Sequence, residues 1–101
     1  MSFLQHIQER LNCKLKKSPK NYERSYNDGI ATALSVVEEF ENRYAQKLAM
    51  WNNTEFIYKG LQEELTKKLV KLPTNKQQAF NTGILTAKSI VKDVFEKENE
   101  L

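Results

Sequence analysis

Shifted by 54 residues, this chain lies on itself without a gap, residues 7–44 over residues 61–98. Fifteen of those 38 positions are identical, and they are not only the apolar ones. Leu11/Leu65, Leu15/Leu69, Ile30/Ile84, Ala33/Ala87 and Val37/Val91 coincide, but so do Pro19/Pro73, Asn27/Asn81 and Gly29/Gly83. Helical periodicity can bring apolar positions into register by chance. It does not align Pro, Asn and Gly as well, so the pattern reads as an internal duplication with repeats over residues 2–50 and 54–101.

Each repeat reads as two helices. Leu4, Ile7, Leu11 and Leu15 recur at three- and four-residue spacing and form one apolar stripe, which Ile57, Leu61, Leu65 and Leu69 repeat. The longer stripe runs through Tyr22, Tyr26, Gly29/Ile30, Ala33, Val36/Val37, Phe40 and Tyr44. Its counterpart runs through Phe80, Gly83/Ile84, Ala87, Ile90/Val91 and Val94. Ser18-Pro19 suits an N-cap followed by the first helical residue. Thr74 with Gln77 has the spacing of a capping box. Asn52-Asn53-Thr54 separates the repeats, with Thr54 as a cap. Helices are therefore expected near 2–17, 19–50, 54–71 and 74–99, with short turns that make each pair antiparallel. One hairpin buries little surface. Two with matching stripes bury them against each other, which predicts an all-α fold: a tandem duplicated antiparallel helical hairpin forming a pseudo-two-fold four-helix bundle in a single domain. Pairing of hairpins between chains, a homo-oligomer, is the alternative.

A length of 101 residues allows one modest core. With only three Gly and two Pro, the chain suits long helices better than a turn-rich β fold. No apolar run approaches the roughly 18 residues needed to cross a bilayer, and the start lacks the apolar stretch of a signal peptide. A single cysteine precludes an internal disulfide. The expected setting is cytoplasmic, with no membrane. The formal charge of +3 permits an anionic partner without requiring one.

No catalytic or metal site is expected, and no cofactor. Zinc needs three or four ligands, and the chain has one His and one Cys. His6 and Cys13 fall opposite the stripe and are expected to be exposed. The carboxylates Glu38, Glu39, Glu41, Asp93, Glu96, Glu98 and Glu100 alternate with Arg43, Lys92 and Lys97, as on a solvated face. No Walker A, GxGxxG, HExxH or GxSxG motif is present.

Three groups of residues invite a binding role. Asn27/Asn81, Thr32/Thr86 and Ser35/Ser89 are polar, off the apolar arc and identical between repeats. They read either as a polar rim that contacts a partner or as local packing, the hydroxyls bonding back to their own helix and Asn bonding a neighbouring helix end. Leu34 and Leu85 also fall outside the arc and would mark a contact surface if exposed. Lysines crowd the hairpin turns: Lys14, Lys16, Lys17, Lys20 and Arg24 around the first, Lys67, Lys68, Lys71 and Lys76 around the second. Beside helix N-termini, Lys16, Lys17, Lys20, Lys68 and Lys71 are candidates for phosphate. The counter-reading is that lysines near the ends of the first and third helices complement the C-terminal dipoles there, or only solvate the turns. Tyr22 and Tyr26 lie nearby, but their place on the stripe argues against stacking on bases. Gly29 and Gly83, each followed four residues later by Ala, predict a tight helix crossing in each repeat. Trp51 is expected to close the bundle end, and Met50 has no assigned place.

The strings YNDGIATALSVVEEFE and FNTGILTAKSIVKDVFE resemble a pattern in short helical proteins from phages and prophages of low-GC Gram-positive bacteria. Tyr26, Asn27, Gly29, Ile30, Ala33, Val36 and Val37 carry it, and Phe80, Asn81, Gly83, Ile84, Ala87, Ile90 and Val91 repeat it. The resemblance implies a small accessory protein acting on a host or defence component, and it transfers no site residue. The leading expectation is thus a non-enzymatic protein-binding module, such as an inhibitor of a host or defence protein. The alternative is nucleic-acid or nucleotide binding through the lysine turns.

Overall fold

A computed structural model describes residues 3–44 and 54–98. The expectations for Met50, Trp51, Asn52, Asn53 and Glu100, and for the outer ends of the second and fourth helices, fall outside that range. Among the described residues there are four helices and no strand: α1 (Phe3–Lys14), α2 (Tyr22–Tyr44), α3 (Thr54–Lys67) and α4 (Asn75–Glu98). They form a four-helix bundle in which the two long helices, α2 and α4, make the most extensive contact and each short helix packs against both.

The core is the pair of predicted stripes. Leu4, Ile7 and Leu11 of α1 meet Ile30, Ala33, Val36, Val37 and Phe40 of α2, Ile57, Leu61 and Leu65 of α3, and Ile84, Ala87, Ile90, Val91 and Val94 of α4, all buried. Fully burying one such Leu or Ile is worth about 1.5–3 kcal/mol, so this single cluster supplies the main drive to fold. No polar or charged residue is buried among the described residues. Leu15, Tyr26, Leu34, Leu69 and Phe80 are half-buried at its edge.

The helices end earlier than periodicity predicts, and the cause recurs in both repeats. The side chain of Asn27 reaches back across the turn. Its Oδ1 accepts the Lys16 N–H at 2.8 Å and its Nδ2 donates to the Lys16 carbonyl at 3.0 Å. Asn81 does the same to Val70, at 2.8 and 3.0 Å. A backbone held this way cannot continue the helix, so α1 stops at Lys14 rather than 17 and α3 at Lys67 rather than 71. Two residues further on, Ser18 and Leu72 take matching left-handed conformations, with φ of 51° and 52°.

The second helix also starts later than expected. Pro19 precedes α2 instead of opening it, and Ser18 is not its cap. In the second repeat the capping box forms: Thr74 Oγ1 accepts the Gln77 N–H at 3.4 Å and Gln77 Oε1 accepts the Thr74 N–H at 3.0 Å. In the first repeat Lys20 stands where Thr74 caps. Only the return bond survives, from the Lys20 N–H to Glu23 Oε1 at 3.2 Å. Without a side-chain cap, Asn21 turns left-handed, at φ 53°, and α2 begins at Tyr22. Asn75, the same residue in the second repeat, is already helical.

The glycines lie at one crossing rather than two. A Cβ on Gly29 would fall 2.3 Å from the Phe80 carbonyl oxygen and 3.1 Å from the Gly83 Cα. A Cβ on Gly83 would fall 2.5 Å from the Tyr26 carbonyl oxygen. The two repeats therefore meet backbone to backbone at Gly29 and Gly83, a contact that no larger residue permits.

Candidate functional site: the basic end of the bundle

Helix direction decides where the turns lie. In the first hairpin α1 runs antiparallel to α2. It is also antiparallel to α4, since His6 meets Glu98 and Arg10 meets Asp93. Hence α2 and α4 run parallel, and both N-termini and both hairpin turns share one end of the molecule. The two lysine clusters, distant in sequence, become one basic end. The C-termini of α1 and α3 lie beside the N-termini of α2 and α4 there, so the helix dipoles oppose one another and the positive charge of this end comes from its side chains.

Between those N-termini lies an open cleft of about 680 Å³, lined by Lys20, Asn21, Tyr22, Arg24 and Lys76. Its lining holds three cations and no carboxylate. Among the described residues, Lys20, Arg24 and Lys76 are in no ion pair. Along the flanks and the opposite end, by contrast, charge is matched internally: Arg10 with Asp93, Lys59 with Glu55, Lys92 with Glu96 and Lys97 with Asp93; at the basic end Lys67 of the second turn is paired with Glu63 and Glu64. The Arg24 Nε donates to the Pro19 carbonyl at 3.5 Å, a long bond that still tethers its guanidinium to the turn.

Tyr22 departs from expectation. Placed on the core stripe by periodicity, it is 50% exposed and lines the cleft. The late start of α2 puts it in the first helical turn, beyond the reach of the core. Tyr26, one turn further, is half-buried as expected, with Lys16 Nζ 5.7 Å from its ring centroid. Of the five predicted anion-binding lysines, Lys20 alone lines the cleft. Lys17, Lys68 and Lys71 are exposed around the turns. Sequence reasoning names Arg24 and Lys76 in the turn clusters without singling them out, sets Tyr22 aside and passes over Asn21; the signal that unites the four is the parallel course of α2 and α4.

The twice-present polar rim divides. Asn27 and Asn81 spend both polar atoms of their amides on the turns. Thr32 donates to the Asp28 carbonyl of its own helix at 2.8 Å. These three follow the local reading, and the identity of Asn27 with Asn81 has a structural cause. Thr86 and Ser89 line a shallow cleft between α1 and α4 with Arg10, Lys14, Ile90 and Asp93, and Ser35 is exposed on α2. Leu34 packs at the core edge, so it is not the exposed contact expected, whereas Leu85 is 52% exposed.

At the opposite end, His6, Glu9, Arg10, Val94, Lys97 and Glu98 line a cleft of about 460 Å³. His6 is half-buried rather than exposed, its Nδ1 lying 3.2 Å from Glu98 Oε1. Arg10 and then Lys97 hold the Asp93 carboxyl below its ordinary value. Each carboxylate or cation named in these contacts already has its partner, so the cleft is a salt-bridged seam joining the repeats. Cys13 is exposed, and no cluster of His, Cys, Asp and Glu among the described residues has metal-binding geometry. No helix among the described residues is long and apolar enough to cross a membrane. No protein family, curated protein or solved structure matches the chain.

Proposed function

We propose that this chain is a non-catalytic module that binds nucleic acid through the phosphate backbone at the basic end of the bundle. The observation that carries this reading is the cleft of Lys20, Arg24 and Lys76, unpaired among the described residues, between two parallel helix N-termini. Cations without a carboxylate partner suit phosphate oxygens, and such contacts position a polyanion without reading sequence. Lys14, Lys16, Lys17, Lys68 and Lys71 extend the positive surface beyond the cleft.

The test is retention of mixed nucleic-acid fragments by the immobilised chain at low and moderate salt. Retention at low salt that fades steeply as salt rises is expected, because binding releases condensed counterions. The triple variant Lys20→Gln/Arg24→Gln/Lys76→Gln should retain little. Absence of retention at low salt, or equal retention by the triple variant, would refute the reading.

A second reading is a protein-directed module, such as a phage-encoded inhibitor of a host or defence protein. The exposed Leu85 on α4 and the 96% exposed Leu72 in the second turn favour it. A stoichiometric protein captured from a bacterial lysate, resistant to nuclease and salt and lost in Leu85→Ser, would support it in place of the first.

A further inference from the structure

We infer that the cleft takes single-stranded rather than duplex nucleic acid, with Tyr22 as the platform on which a base stacks. This rests on the nucleic-acid reading above and assigns its substrate class. The cleft, at about 680 Å³, lies within the roughly 300–1,000 Å³ range of small-ligand pockets, enough to admit one nucleotide. Its lining has the two components that single strands require, cations for the backbone and an exposed aromatic face for a base. Duplex bases are already stacked and would offer this cleft only phosphates, so the ring of Tyr22 finds no base to stack on in a duplex.

The two repeats supply different parts of the cleft. Tyr22 and Lys76 are equivalent positions, and they line it from the two sides. Asn21 also lines it and is the left-handed residue without a left-handed counterpart, since Asn75 is helical.

The experiment is fluorescence anisotropy of the full chain with a labelled oligothymidine and with a labelled duplex of equal length, at low salt. The single strand should bind about tenfold tighter or more. Tyr22→Ala should weaken single-strand binding by about 5- to 100-fold, a larger loss than it causes for the duplex, while Tyr22→Phe, which keeps the ring, should restore it. Equal affinity for the two forms, or a Tyr22→Ala chain that binds the single strand normally, overturns the inference and leaves phosphate binding standing. Failure of the unmodified chain to bind either form overturns both. Tyr22 is exposed, so its variants are expected to fold, and their helical circular dichroism and melting confirm this before titration.

Discussion

The two hairpin turns share a backbone and differ in what their side chains do. Both are closed by an Asn amide on a backbone two or three residues past the helix end, and both pass through a left-handed residue before Pro19 or Pro73. The second turn is then completed for stability: Thr74 and Gln77 form the capping box and α4 starts at Asn75. The first turn carries Lys20 at the cap position and Arg24 where the second has Gln78. It has half a capping box, an extra left-handed residue and an open basic cleft. One scaffold thus holds a turn built to hold the fold and a turn built to present charge.

The comparison can be broken at the point the two repeats share. Gly29→Ala and Gly83→Ala should each destabilise the chain by about 1–3 kcal/mol in thermal or denaturant melts. That loss is expected despite the roughly 1 kcal/mol that Ala gains over Gly in an isolated helix, because the new methyl meets backbone rather than a yielding side chain. A variant more stable than the parent would mean that the repeats do not meet there.

Next come the Asn clamps. Asn27→Ala and Asn81→Ala should each cost about 1–3 kcal/mol, with Asn81 the more costly. Its bonds to Val70 are partly buried, whereas water reaches the bonds to Lys16. Equal melting of both variants with the parent would return these residues to the pool of partner contacts.

The caps sharpen the contrast directly. Thr74→Ala should cost about 1 kcal/mol, and Lys20→Thr, which installs the missing cap, should gain up to about that much. The smallest effect concerns acid. Bonds from Arg10 and Lys97 lower the Asp93 pKa from its ordinary 3.8. That contribution is fully present above the unfolded value and is lost as pH falls below 3.8 through the folded one. Asp93→Asn should flatten the stability profile slightly in that window, and an unchanged profile would show the pair to be idle.

The bundle was legible because burial imposes periodicity. Ile7, Leu11, Ile30, Ala33, Leu61, Leu65, Ile84 and Ala87 were all named from spacing, and all are buried. The helix ends were not legible, because they depend on Asn27 and Asn81 capturing backbone 11 residues away, a contact no local pattern reveals. The cleft was half legible. The lysine turns were found, but their union needed the parallel course of α2 and α4. Tyr22 was misassigned because its stripe position assumed a helix starting at residue 19.

The most direct measurement is the affinity for an oligothymidine strand across a salt series, for the parent chain and for Lys20→Thr/Arg24→Gln. These are the residues that the second repeat holds at Thr74 and Gln78. The swapped chain should be at least as stable, should bind more weakly, and should lose about 1.4 from the slope of log affinity against log salt, about 0.7 for each phosphate contact removed. Unchanged affinity and slope in a folded, swapped chain would contradict the assignment of the first turn to nucleic-acid binding.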